Sequence, residues 1–579
     1  MTPRRGEALG RRVATVERRG RFTVAEPLFV RGAQAALARG SVRVHTGDIA
    51  LVDFGPGSAR AIRRLGSAER PRDVVTALLW DRGMRRGFSS ELESEARDAA
   101  LAAQEGGGSR RDLTGLATFT VDPATARDFD DAVSAEAEGD GVRLWIHIAD
   151  VSAHVREGSA LDAEALRRGT STYVPGVVEP MLPAVLSDEA CSLAPGVERL
   201  AVTAEIVLGS DGASRSASFY RSRIRSDARL SYDQLDEFFA GRADPPAAVA
   251  APLELARRAA AALAARRPVG SLEIESFEPE FEFDPDGQVV AARSVYQTEA
   301  HKLIEHLMIL TNERVAELLE RRRVPTLYRV HEQPDPERIA ALVERLAALD
   351  VPSPPTPERL SPSEAGRLAG EISRAVAREA RRRGHGRDAY TSLVLRSMKQ
   401  ASYSDRNLGH AGLGSPAYLH FTSPIRRYPD LVAHRGLLFA IGEAEPEPDP
   451  ERVREAAWRS SEREREAIAT ERDADRVCAA FLLGRELFEA GWGTTFEGEV
   501  SGVIGAGAFV RFGGELGDVY EGLLPARLMR GERFDLNETE TALVGRRSGR
   551  AVRLGDPIAV RVDAIDAPRG RVDLAPGEG

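Results

Sequence analysis

The chain has 579 residues, 42% of them hydrophobic, enough for several buried cores and for three or four domains. Its formal charge of −10 argues against indiscriminate nucleic-acid binding but leaves room for a local basic channel. Cys191 and Cys478, the only cysteines, are too few for a disulfide framework or a cysteine metal site. No run reaches the ~18 consecutive apolar residues of a membrane span. The basic start MTPRRGEALGRR lacks the apolar stretch of a secretory signal, so a cytoplasmic protein is expected.

Residues 1–66 alternate as short strands between Gly-rich turns, the pattern of a small OB-like barrel. Phe22, Phe29 and Phe54 interleave there with Arg12, Arg19, Arg21 and Arg31, an arrangement that suits base stacking and equally suits a barrel core. Residues 67–110 read as charged helix ending in a Gly-rich linker.

The stretch VDPATARDFDDAV, residues 121–133, follows. Asp122, Asp128, Asp130 and Asp131 fall within ten positions, with Arg127 the single cation among them. Phe119 and Val121 read as a half-buried strand and Asp122-Pro123 as its end in a turn. Two unit charges about 4 Å apart repel by roughly 4 kcal/mol at an effective dielectric near 20. Such a cluster therefore protonates, splays into water, or holds a cation. Mg2+ prefers one or two carboxylates plus substrate phosphate, and two such ions suit phosphoester hydrolysis. The spacing alone fits an acidic surface loop, a structural calcium loop or a catalytic site; the EF-hand offsets are absent.

Residues 142–155 alternate as a strand with Leu144, Ile146 and Ile148 on one face. Its His147 and His154 lack the further ligands of a zinc site. Residues 169–193, rich in Gly and Pro, predict an ordered loop without regular structure. Strands are expected over 199–209 and up to Tyr220, and an Ala-rich helix over 253–267. Residues 301–322 form a strong helix whose apolar stripe, Leu303, Leu307, Leu310 and Val315, leaves Glu305 to one side. Helices broken by a Pro-rich loop at 352–364 lead to TSPIRRYPD, which sets Arg426 and Arg427 between apolar flanks. Adjacent arginines commonly lie in solvent; beside a phosphate site they give bidentate contact and stabilise developing charge. A long charged helix follows an acidic hinge at 444, and short strands return over 495–575.

The run from Asp122 to Val133 resembles the signature of the RNase II / RNase R (RNB) family of exoribonucleases. The similarity continues through residues 170–193, 301–312 and 410–435, four blocks in the family's order across roughly 110–440. It implies an α+β multidomain protein. A central α/β RNB catalytic domain would occupy 111–440, with a helical segment closing it at 441–493. Small OB-fold barrels would flank it, a cold-shock-like one at 1–66 joined through a helical linker at 67–110, and an S1 domain at 494–579.

The resemblance also implies residue roles. Asp122, Asp128, Asp130 and Asp131 would bind Mg2+ in a two-ion site, with Mn2+ equally open. Asp130 and Arg426 would be catalytic, and Arg427 would touch substrate. Tyr173 would stack the last base, while Tyr232 and Glu305 would favour ribose. Ile274 stands where the RNase II branch has the phenylalanine of its second clamp jaw, with Phe277 nearby, and His306 replaces a second acid found in many relatives. In the barrels, Phe22, Phe496, Phe509, Phe512 and Tyr520 are the stacking candidates.

The implied activity is hydrolytic 3′-to-5′ shortening of single-stranded RNA to nucleoside 5′-monophosphates by a monomer, with no protein partner implied. The carboxylate cluster by itself reaches only metal-dependent phosphoester chemistry. One rival is a catalytically silent RNA-binding protein using its barrels, which the complete set of aspartates disfavours. A metal-dependent enzyme on DNA is the other, disfavoured by Tyr232 and Glu305.

Overall fold

The computed structural model describes residues 10–38, 40–55, 58–84, 87–105, 109–267, 271–272, 277–357, 359–443, 445–513, 519–529 and 531–577. At its centre lies a seven-stranded sheet, in the order Ala228–Ser231, Phe119–Asp122, Asp131–Glu138, Gly141–Ala149, Glu198–Leu208, Ser214–Arg225 and Arg111–Asp112. Neighbours pair antiparallel except at the two edges, where the short outer strands run parallel to theirs. Leu144, Ile146 and Ile148 share one face because side chains alternate along a strand. That face buries against helices Ala250–Arg266 and Glu299–Arg322. Ala132, Ala149 and Ala201 on the opposite face admit Met181, Leu182 and Leu193 of the following loop and Leu431 of helix Tyr428–Ala440.

His147 sits within this sheet, bonded to Ser134 Oγ at 3.1 Å and Thr203 Oγ1 at 2.8 Å. Burial depresses its pKa to about 3, so the ring stays neutral and structural.

The N-terminal strands Gly10–Arg19, Phe22–Pro27, Ala35–Ala36, Asp48–Gly55 and Ser58–Ser67 pair in the order third, second, first, fourth, fifth. A parallel bridge from Leu37 to Ala59 brings the third against the fifth, which is the strand circuit of an OB fold. The same circuit closes the C-terminal barrel, Thr495–Ile504, Gly507–Phe512, Tyr520–Pro525, Pro557–Asp566 and Arg571–Pro576, with its third and last strands parallel. Three short strands between Phe534 and Arg553 form a separate sheet beside it.

Helix Pro71–Asp81 does not hang between domains. It buries Val74, Val75, Leu78 and Leu79, and Asp81 accepts the Val13 amide of the first barrel. Helix Pro450–Ala490, 41 residues and so roughly 60 Å long, runs past both barrels and joins their cores through Val477, Cys478 and Leu482. No helix among the described residues is long and apolar enough to cross a membrane.

Residues 169–193 depart from the expected irregular loop. Thr172–Val174 and Val177–Glu179 pair as a hairpin across Pro175-Gly176. Proline presets the turn, and Gly176 takes φ +72°, which a side chain would resist. Ile274 lies outside the described residues.

Candidate active site

A cleft of about 2520 Å3 opens between the two barrels, the central domain and the long helix. Asp122, Asp128, Asp130 and Asp131 line it together with Tyr173, Tyr232, Glu305, Arg426 and Arg427. The sheet places the acids. Asp122 ends one strand, opposite Ser231 of its parallel neighbour, and Asp131 begins the next, opposite Ile148. Between them residues 127–130 are pinned from behind. Ser192 Oγ donates to the Arg127 carbonyl at 2.6 Å and accepts the Phe129 amide at 3.1 Å, while the Leu193 amide donates to the Phe129 carbonyl. Arg229 secures the preceding turn by donating to the carbonyls of Pro123 and Ala124.

Burial pushes the carboxyls of Asp122 and Asp130 well above the usual range. Asp131 and Asp128 add repulsion at Asp122, and Arg426 opposes the shift at Asp130. Asp131 is raised to about 6 by burial, against the pull of Arg426 and Arg427. One buried oxygen of Asp122 and one of Asp130 accept no hydrogen bond among the described residues, the one on Asp130 facing the Arg426 guanidinium at 3.4 Å. Buried carboxylate oxygens without donors are costly unless a cation completes them, so this donor set fits a hard divalent ion. Among the described residues no three acidic, His or Cys side chains are disposed to hold a metal by themselves.

The Ser423–Arg427 turn faces the acids. Asp130 Oδ1 accepts the Ile425 amide at 2.8 Å, and its other oxygen lies 3.4 Å from Arg426 Nε. Arg426 also donates to Ser423 Oγ at 3.1 Å, and its side chain, 44% exposed, lines the cleft. Arg427 differs: its guanidinium is bound to Asp430 at 2.7 Å, and Asp430 also accepts the Ser423 amide. The neighbouring arginine is thus tied into the turn, leaving Arg426 as the one that projects.

Tyr173 stands on the hairpin with its ring partly exposed, its hydroxyl donating to Asp128 at 2.7 Å and its amide donating to Glu471 at 2.9 Å. Tyr232 opens helix Tyr232–Phe239 and stacks on His301 with ring centres 4.0 Å apart. One turn beyond His301, Glu305 accepts from Gln297 and forms cleft wall.

The barrel aromatics separate. Phe509 lines the cleft, and Phe22 is exposed on the first barrel beneath Arg21, away from the cleft lining. Phe512 is fully buried against Phe496 and Tyr520, so its expected stacking role is corrected to barrel core; Tyr520 is buried likewise. Sequence reasoning missed Ser192, Arg229, Asp430 and Glu471, whose partners lie in other segments or whose type carries no signal by itself.

A mixed α/β domain with an acid–arginine cleft, flanked by two barrels of OB topology, defines the class of multidomain protein to which the chain belongs. The chain belongs to the RNB family: the RNB domain matches residues 110–443. Ribonuclease R of Escherichia coli is 35% identical over 518 residues, covering 86% of this chain and 60% of the relative, so the chain spans about 60% of that protein's length. RNase R of Mycoplasma genitalium, solved in complex with ribose-methylated single-stranded RNA, is 25% identical with a TM-score of 0.86, over 98% of this chain and 89% of that one. Yeast Ssd1, a pseudonuclease, shares the fold at 19% identity and a TM-score of 0.65, over 93% and 68% of the two chains.

Proposed function

We propose that the protein is a metal-dependent exoribonuclease that shortens single-stranded RNA from its 3′ end and releases nucleoside 5′-monophosphates. The observation that carries this reading is the convergence of four aspartates, two with buried oxygens that accept no hydrogen bond among the described residues, on Arg426 at the wall of a cleft between two OB barrels. A relative bearing the name Ribonuclease R and a structural neighbour solved with single-stranded RNA support the substrate class.

Asp122, Asp128, Asp130 and Asp131 would hold the ions, Mg2+ or Mn2+. Bound divalent cations supply Lewis-acid activation of water and support for the leaving oxygen. Water attacks phosphorus, the 3′-oxygen of the penultimate nucleotide departs and takes a proton, and the terminal nucleotide leaves as its 5′-monophosphate. Arg426, with its guanidinium open to the cleft, stabilises negative charge on the phosphoryl oxygens as it develops. Asp130 holds that arginine's turn through the Ile425 amide. Tyr173 offers its ring to the terminal base, a contact indifferent to sequence. Tyr232 and Glu305, both on the cleft wall, would discriminate the ribose. Arg427, paired with Asp430, supports Arg426 and meets substrate only through the positive field it adds.

The barrels at 1–66 and 494–579 act as RNA-binding domains around the catalytic domain at 111–440, the helical segments 67–110 and 441–493 joining them. We place the activity in cytoplasmic RNA decay or processing by a monomer. A pseudonuclease shares the fold, which makes the silent RNA-binding alternative a real competitor. The complete aspartate set with Arg426 favours the enzyme. The test is release of 5′-monophosphates from linear RNA with and without EDTA.

A further inference from the structure

Among the described residues, Arg569 carries hydrogen bonds from one terminal barrel to the other. After strand Pro557–Asp566 the chain turns through Ala567–Arg569 to Gly570, and Arg569 reaches across to the first barrel. Its Nε donates to the Leu28 carbonyl at 3.0 Å, and Nη2 donates to the Pro27 carbonyl at 3.2 Å and to Glu26 Oε1 at 3.1 Å. Nη1 donates back to Asp566 at 3.1 Å, so the planar fork is engaged on both sides. Glu26 is itself held by Gln34. The turn beneath the arginine has no slack. Gly570 takes φ +60°, and a Cβ there would come within 2.9 Å of the Arg476 backbone on the long helix.

These residues also form cleft wall: Leu28 and Phe29 from the first barrel, Arg569 and Arg571 from the second, Arg476 from the helix between them. The contact therefore stands in the wall that the two barrels and the long helix give the cleft.

We infer that Arg569 is the latch of a closed collar, a determinant of strand admission: by bridging the barrels it compels RNA to thread in end first rather than enter sideways. The inference rests on the exoribonuclease reading above and adds to it a reason for selecting free ends and for retaining the strand between cleavages. A guanidinium suits the task because one rigid fork satisfies two carbonyls and two carboxylates together, which an ammonium could not. Opening the latch should admit a strand whose ends are blocked and speed the escape of one already threaded.

Glu26→Cys and Arg569→Cys, joined by a short bis-maleimide in the full chain, would lock the collar. Both native cysteines are buried and leave the reagent to the new pair. The probes are a linear single strand and the same strand carrying streptavidin at both ends. The expected result is that cross-linking leaves shortening of the linear strand within about twofold of the same doubly substituted protein before cross-linking. On an Asp130→Asn background, Arg569→Ala should bind the end-blocked strand roughly tenfold more tightly than the latched protein does. Glu26→Gln, which keeps the arginine in place, should shift binding in the same direction by a smaller factor.

Loss of activity on locking, with each single-cysteine variant still active after the same reagent, would show sideways entry and overturn the inference. So would an Arg569→Ala protein, folded by its melting curve, that gains no binding to the end-blocked strand. Failure of the unmodified protein to shorten the linear strand would instead overturn the exoribonuclease reading.

Discussion

Asp130 and Ile425 are 295 residues apart in sequence, yet the Asp130 carboxylate accepts the Ile425 amide at 2.8 Å while its second oxygen faces Arg426 at 3.4 Å. One carboxyl group thus sets the geometry of the arginine turn and contributes charge to the acid cluster. Asparagine at 130 keeps an acceptor for Ile425 but removes the charge. We expect Asp130→Asn to lower cleavage by roughly 10³-fold or more while RNA binding and melting temperature hold. Single-turnover kinetics beside a binding titration would separate the two effects.

Arg426→Ala should lower kcat by roughly 10²–10³-fold, the usual effect of removing a preorganised donor from a developing charge. Arg426→Lys should recover only part of this, because an ammonium lacks the guanidinium fork. Arg427→Ala should act through stability, since Asp430 would be left buried and without its cation. Thermal melting of the three variants distinguishes these effects.

Tyr173 contributes a ring and a hydroxyl separately. Tyr173→Phe keeps the stacking surface and loses the bond to Asp128, so kcat should fall more than KM rises. Tyr173→Ala removes a stacking contact worth roughly 1–3 kcal/mol, which should appear as weaker binding of the 3′-terminal nucleotide. Kinetics on short oligomers would show the split.

Binding of Mg2+ should release protons. Without metal, Asp131 is held at about 6, and Asp122 and Asp130 are also raised, so at pH 6 the cluster carries protons that a cation displaces. Calorimetry in buffers of different ionisation enthalpy should find proton release that declines as pH rises from 6 to 9. Asp131→Asn should diminish it.

Asp475 gives a stability test away from the acid cluster. Burial, then Glu471 and Glu278, raises it from 3.8 to about 7. Below pH 3.8 both folded and unfolded chains hold this proton, and the site costs nothing. Between 3.8 and 7 the unfolded chain releases it first, so stability falls with rising pH; above 7 the cost is constant. Asp475→Asn should therefore stabilise the protein by on the order of 1–3 kcal/mol at pH 8 and negligibly at pH 4. Denaturant unfolding at the two pH values checks the sign.

Much of the site was legible because its parts are local. The four aspartates lie within ten residues, and a strand end followed by a turn is enough to gather them. Glu305 could be read as lying off the apolar stripe of its helix, and it does form cleft wall. Tyr173 and Arg426 gained meaning only from the family resemblance, since a tyrosine in a loop and a pair of arginines have ordinary surface explanations. Elsewhere the signal was too weak or too distant. Phe509 and Phe512 look alike in sequence, but register in a closed barrel turns one to the cleft and buries the other. The Pro175-Gly176 hairpin hid because strands of three residues carry no periodicity. Arg569 gives no local sign of its role, its partner Glu26 lying 543 residues away.

The most direct measurement uses an RNA oligomer labelled at its 5′ end, with the unmodified and Asp130→Asn proteins, in Mg2+ and again in EDTA. We expect a ladder shortening stepwise from the 3′ end, 5′-monophosphates as product, and no shortening with Asp130→Asn or EDTA. Tight binding without cleavage by the unmodified protein, in Mg2+ and in Mn2+ alike, would contradict this expectation and leave the barrels as the working parts of an RNA-binding protein.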